Sequence, residues 1–220
     1  MASFFNLTLD TTAPAGLTLK LNNGAAYATS TAVTATIGLT DTETTGYQMK
    51  IWGVAGAATE SEAAWATFVK SKAITLTTGD GQKTVSVKVR DDVGNETATV
   101  TAKITLDTAV PVVTITGPDK SKISKVATFN VSAFSFSANA DFEEYKIKVV
   151  PSESSLENAG TQIPVTAGST NTSGTAGGYK KDTAINVTIN GADLEAASSG
   201  DGVKIVKVFV KNAAGTWSVA

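Results

Sequence analysis

Residues 79–97 read GDGQKTVSVKVRDDVGNET, and residues 200–218 read GDGVKIVKVFVKNAAGTWS. In the first stretch Val85, Val87 and Val89 alternate with Ser86 and Lys88. Successive side chains of an extended chain point to opposite faces, so this alternation puts the valines on one face and the polar residues on the other. Directly after them comes Asp-Asp-Val-Gly-Asn, in which Gly and Asn tolerate positive φ and Asp can accept hydrogen bonds from turn amides. The stretch therefore reads as a strand ending in a hairpin turn. The chain states it twice, 121 positions apart.

Other landmarks repeat as well. TLDTTAP at 8–14 returns as TLDTAVP at 105–111, 97 positions on, and GYQMKIW from Gly46 returns as EYKIKVV from Glu144, 98 positions on. The second copy thus carries about two dozen extra residues, which fall within PSESSLENAGTQIPVTAGSTNTSGTAGGYKK. Its Gly, Ser and Thr content predicts a long surface loop over about 151–182. Self-similarity near one hundred residues implies two homologous domains, since solenoid periods are shorter. The expected division is 1–107, with an N-terminal arm at 1–8, and 108–220.

Both copies are rich in period-two segments. Leu17, Leu19 and Leu21 share a face, as do Val33, Ala35, Ile37 and Leu39, and as do Ala98, Val100, Ala102, Ile104 and Leu106. About seven such strands per copy, punctuated by Asn-Gly, Asp-Gly and Gly-Asn, predict an all-β chain of two tandem immunoglobulin-like antiparallel β-sandwiches. Three local features are expected to modify that plan. Trp65 and Phe68 in EAAWATF, three apart, suit one helical turn packed on the core. The apolar phase slips between Val131 and Phe134, which predicts a bulge. Ile205 and Phe209 fall on the outward face of their strand, where they mark a contact surface or, the preferred reading, lie under the long insertion.

LDTTAP, YQMKIWG and GDGQKTVSVKVRDDVGNE resemble the bacterial immunoglobulin-like (Big-type) modules found in tandem in surface adhesins and in virion proteins of tailed phages. The resemblance runs from about Leu9 to Leu106 in the first copy and covers both ends of the second. It implies the sandwich fold and leaves function to the particular surfaces of each module.

Composition removes much chemistry. The chain has no Cys and no His, which excludes thiol nucleophiles, disulfides, the usual zinc sites and imidazole-based triads. Net charge is −2 with no basic run, so neither nucleic acid nor an anionic membrane is an expected partner. No stretch has the length of a signal peptide's apolar core or of a membrane span. Among carboxylates, Asp91, Asp92 and Asp107 with Asn95 and Glu96 could gather oxygens for a weak calcium site. The simpler reading makes Asp91 a turn cap, because the second copy has KNAAG at the same place. Glu143 and Glu144 are adjacent and read as solvated, without the apolar pocket that glycoside hydrolysis needs. No catalytic, cofactor or metal residue is assigned, and an enzyme is not expected. Trp52, Tyr179 and Trp217 are the aromatic candidates for glycan contact.

At the 121-residue offset the second copy reaches only the opening of its last strand by Ala220, whereas SFFNLTLD places Phe5, Leu7 and Leu9 where Ala102, Ile104 and Leu106 stand. This predicts strand exchange through residues 2–8 with another copy. Burial of the three apolar side chains offers roughly 5–9 kcal/mol gross, opposed by association costs of similar size. The resulting expectation is a non-enzymatic structural or decoration protein of a tailed-phage particle, on head or tail, made in the host cytoplasm. It would bind neighbouring virion proteins or itself, and a host surface glycan. The alternative is a glycan- or host-binding adhesion module of a bacterial surface protein.

Overall fold

The computed structural model describes residues 5–126, 131–165 and 168–219, and the chain divides into two compact units between Thr108 and Ala109. The first unit runs through β1 (Thr18–Leu21), β2 (Tyr27–Ala28), β3 (Ala32–Gly38), β4 (Gln48–Trp52), β5 (Ala66–Thr67), β6 (Ser71–Thr75), β7 (Gly81–Arg90) and β8 (Val100–Leu106). One sheet has the order β1-β3-β6 and the other β2-β8-β7-β4-β5, with every pairing antiparallel except the short parallel contact of β2 with β8. Leu19, Leu21, Val33, Ala35, Ile37, Met49, Val85, Val87, Val89, Ile104 and Leu106 fill the space between the sheets. These are the alternate residues of the period-two segments, and each buried Val or Leu stabilises the unit by about 1.5–3 kcal/mol.

The second unit contains β9 (Val113–Thr116), β10 (Val131–Ala138), β11 (Glu144–Val150), β12 (Thr161–Gln162), β13 (Ser173–Gly174), β14 (Ile185–Asn190), the helix α1 (Gly191–Ala197) and β15 (Ile205–Lys211). β14-β10-β9 form one sheet; in the other, β11 pairs with β15 along one edge and with β12 and β13 along the opposite edge. Phe136, Phe142, Tyr145, Ile147, Ile163, Val187, Ile189, Val208 and Val210 form its core. Both units are two-layer β-sandwiches, the all-β architecture expected for tandem immunoglobulin-like domains.

The alternation in β7 is realised: Val85, Val87 and Val89 are fully buried. In β8 it holds only from Val100 onward, because Ala98 is exposed and Thr97 is buried in its place. Thr97 is bonded across the hairpin, donating its N–H to the Val89 carbonyl (2.9 Å) and accepting the Val89 N–H on Oγ1 (3.1 Å). The buried Thr97 hydroxyl satisfies the Val89 main-chain N–H, which an alanine methyl at that position could not do.

Several local expectations are corrected. Residues 63–68 form no helical turn: Ala66 and Thr67 are the edge strand β5, Phe68 enters the core, and Trp65 stays half-buried on the outer face. β10 has no bulge, for its ladder to β14 runs unbroken from Val131↔Asn190 to Phe136↔Ile185. The apparent phase slip arises because Ser132 occupies an inward position, where it is buried and donates to the Lys120 carbonyl at 3.0 Å. The insertion is more than a surface loop. β12 and β13 extend the sheet beside β11, Ile163 is fully buried, and Thr170 pairs with Thr188 at the other sheet. An open edge of β11 would leave unpaired amides, which these two short strands satisfy. The helix α1 was not anticipated, although Asn190 caps it by accepting the Ala192 N–H at 2.8 Å.

Candidate functional site

The most developed polar surfaces lie on the outer faces of the β4–β7 and β11–β15 pairs. Side chains facing away from the core at Gln48, Lys50, Lys88 and Arg90 come together there because period two puts them on one face. Two cations approach the Trp65 ring, with Lys50 Nζ 4.9 Å and Arg90 Cζ 4.4 Å from its centroid. Arg90 donates from Nε (2.8 Å) and Nη2 (2.5 Å) to Gln48 Oε1, directly across the ladder. Glu60 accepts from Lys88 at 2.9 Å, and this bond lowers the Glu60 pKa and raises that of Lys88. The exposed ion pairs contribute little stability individually; the tryptophan held by two cations is the ordered feature.

The second unit repeats the device with different residues. Two lysines approach the Trp217 ring, Lys146 Nζ at 4.7 Å and Lys211 Nζ at 5.1 Å from its centroid. Lys211 pairs with Glu144, its ladder partner, and Lys146 pairs with Glu157 at 2.6 Å. Glu144 is therefore not a solvated carboxylate: its side chain is only 17% exposed, and Lys211 holds its pKa below the usual range. The two ladders also refine the sequence alignment. Met49 faces Val89, and the residue facing Val210 is Tyr145, so Met49 corresponds to Tyr145 rather than to Ile147. A shift of two residues keeps every side chain on its own face, which is why apolar pattern alone could not detect it.

Phe209, predicted to face away from the core and to lie under the insertion, is 0% exposed. Lys207 Nζ sits 5.2 Å from its ring and donates to the Glu153 and Ser155 carbonyls (2.8 and 2.7 Å), while Lys148 Nζ donates to the Glu157 carbonyl (2.6 Å). Lysine stems and the 153–157 backbone thus roof the ring, with each ammonium satisfied by carbonyls. Ile205 is half-buried.

At the hairpin turn, Asp91 Oδ1 accepts the N–H groups of Val93 (3.1 Å), Gly94 (2.7 Å) and Asn95 (2.8 Å), and Oδ2 accepts Asn95 Nδ2 (2.8 Å). Burial acts to raise its pKa as the largest single influence, but these hydrogen bonds together outweigh it and the net pKa is lowered. In the second unit Asn212 Oδ1 accepts the Thr216 N–H (2.8 Å) and Ser218 repeats the bonds of Thr97, giving 2.8 Å to the Val210 carbonyl and 3.2 Å from its N–H. An amide thus does the work of the carboxylate, which marks Asp91 as a turn cap. Asp92 is exposed, Asp107 follows β8 and bonds its N–H to the Ala28 carbonyl, and no group of three or more acidic side chains among the described residues is placed to share a metal ion.

The aromatic candidates are not brought together. Trp52 is in the first unit and is half-buried on the outer face opposite Ser86. Tyr179 stacks on Phe142 (5.0 Å, 17°) and meets Tyr145 edge-on, at the fringe of the core. Trp217 covers Lys146, the residue after Tyr145, and therefore lies on the opposite face of β11. Sequence reasoning missed the cation contacts of Trp65 and the part of Lys207 in the cover over Phe209. A signal was present only for the second, where Ile205, Lys207, Phe209 and Lys211 alternate apolar and Lys along the outer row.

No protein-family model matches the chain, and no curated protein does. Among solved structures it is similar to the fibronectin(III)-like modules of Clostridium thermocellum CbhA, with 8% identity, a TM-score of 0.48, and coverage of 92% of this chain and 90% of that one. It is also similar to the chitinase ChiA74 from Bacillus thuringiensis, with 13% identity, a TM-score of 0.30, and coverage of 92% of this chain and 30% of the chitinase.

Proposed function

We propose that the protein is a non-enzymatic structural or decoration protein of a tailed-phage particle, displaying two immunoglobulin-like sandwiches and binding neighbouring virion proteins. The observation that supports this reading is that the side chains best suited to chemistry are committed to holding the sandwiches. Asp91 is committed to turn amides, Glu144 to lysines, and Trp65 and Trp217 to cation pairs. Such a module works through its outer faces and sheet edges. The disulfide-free construction suits folding in a reducing cytosol before assembly, and the resemblance of LDTTAP, YQMKIWG and GDGQKTVSVKVRDDVGNE to virion modules supplies the setting.

The test is co-sedimentation of the protein with purified particles through a density gradient, with copy number from quantitative mass spectrometry. A fixed copy number that survives high-salt washing is the expected result; absence from washed particles overturns the proposal. The adhesion alternative predicts instead that a glycan array gives binding which Trp52→Ala abolishes. Tyr179 and Trp217 offer that alternative little, being packed on opposite faces of β11.

A further inference from the structure

The two units differ at one edge. In the first, β8 lies along β7 with Gly81↔Leu106, Lys83↔Ile104 and Val85↔Ala102 in register, sending Ile104 and Leu106 into the core. In the second, β15 pairs with β11 only, and among the described residues nothing lies along its other edge over 202–208. Val206, which stands where the fully buried Val85 stands, is consequently half-buried, and Val203 is 96% exposed. Between this edge and the β14-β10-β9 sheet runs an open, mainly apolar groove of ≈ 690 Å³, lined by Ile115, Phe134, Ile189, Leu194, Val203 and Val206. It occupies the position that the inward side chains of β8 fill in the first unit.

The chain also carries a segment with the sequence of β8 and no packing of its own. Phe5, Leu7 and Leu9 are 85, 87 and 86% exposed, and residues 5–17 form no strand. The stretch Asn6-Leu-Thr-Leu-Asp10 parallels Lys103-Ile-Thr-Leu-Asp107. Residues 2–4 of the predicted exchange segment lie outside the described residues.

We infer that residues 5–9 of one copy bind as an antiparallel strand along β15 of a second copy, with their alternate side chains in the groove. The register follows from β7–β8: Leu9 opposite Gly202, Leu7 opposite Lys204 and Phe5 opposite Val206. The backbone of the donor satisfies the open N–H and C=O groups of β15, and Phe5, Leu7 and Leu9 enter the groove because they share one face. Asn6 and Thr8 remain outside, opposite Ile205 and Val203. The inference goes beyond the virion reading and stands without it, since it concerns purified protein alone.

Because the chain has no cysteine, single introduced thiols report the pairing directly. Purified full-length Asn6→Cys is mixed with Ile205→Cys under a mild oxidant, and separately Thr8→Cys with Val203→Cys. Each in-register mixture is expected to give at least about tenfold more disulfide heterodimer than Asn6→Cys mixed with Val203→Cys, which is two residues out of register. Adding Leu7→Asp to the Asn6→Cys donor should reduce the heterodimer at least about tenfold. The thermal unfolding midpoint of that donor should not move, because Leu7 is exposed in the single copy. Cross-linking that ignores register, cross-linking that survives Leu7→Asp, or disulfide formed only within one chain of the Asn6→Cys/Ile205→Cys double variant would each overturn the inference, as would no cross-link at all. Loss of particle association with intact cross-linking would overturn only the virion reading.

Discussion

Replacing Asp91 separates a turn cap from an ion site, and the second unit supplies the control. The Asp91 carboxylate is buried and accepts four hydrogen bonds, three of them from the turn amides of Val93, Gly94 and Asn95. A hydrogen bond to a charged group contributes about 1.5–3 kcal/mol net, but amides freed at an exposed turn regain water. Asp91→Ala should therefore cost about 2–3 kcal/mol, at or above the upper end of the roughly 0.5–2 kcal/mol that a helix-capping residue contributes. For a domain near one hundred residues this lowers the midpoint of thermal unfolding by roughly 10–20 °C. Asp91→Asn keeps Oδ1 in place, as Asn212 does in the other hairpin, and should cost no more than about 1 kcal/mol.

The assay is fluorescence-detected unfolding in a Trp217→Phe background, where Trp52 and Trp65 report the first unit alone. The pH dependence has a definite sign. The folded pKa of Asp91 lies below its unfolded value, so its contribution is complete above the unfolded pKa of about 3.9 and disappears as pH falls through the folded pKa. The midpoint of Asp91→Asn should accordingly fall less steeply than that of the parent over this acid range. Equal damage by Asn and Ala, or a midpoint raised by calcium in the parent and unaffected by calcium in Asp91→Asn, would refute the capping argument.

Three further outcomes follow from packing. Val85→Ala should destabilise the first unit by about 2–3 kcal/mol in urea unfolding, whereas Val206→Ala, half-buried at the open edge, should cost less than about 1 kcal/mol at concentrations where copies do not associate. Phe209→Ala should cost about 3–5 kcal/mol and, by removing what the 153–157 segment rests on, create a protease-sensitive site there that limited proteolysis detects. Gly53→Ala should destabilise the turn after β4, since Gly53 has φ +81 and an added Cβ would collide with the Thr84 carbonyl; a variant unfolding within about 0.5 kcal/mol of the parent would contradict this.

How much could be read in advance depended on whether a feature repeats along the chain. Val85, Val87 and Val89 could be placed inside from their spacing because one bit per residue, inward or outward, is all a pleated strand needs. The same rule placed Leu19, Ile37 and Ile104, and it set Phe209 on the outer row beside the insertion. The turn at Asp91 was legible because Gly and Asn have few conformational reasons to stand together. Pattern failed wherever polarity and position part company. Ser132 and Thr97 are inward because their hydroxyls have specific partners, and no periodicity announces a partner. Trp65 looked like core because it is large and aromatic, yet Lys50 and Arg90 hold it outside.

The alternation and the repeat, then, determined by themselves that this chain makes two β-sandwiches, because burial of one strand face is a property each segment carries alone. Tertiary structure decided what lies across from each strand: the two-residue shift of β11, the roof over Phe209, the commitment of Asp91 and Glu144, and the open edge of β15 with its groove. Those depend on residues far apart in the chain meeting at particular distances, and a period-two pattern is unchanged when its partner slides by two or is missing.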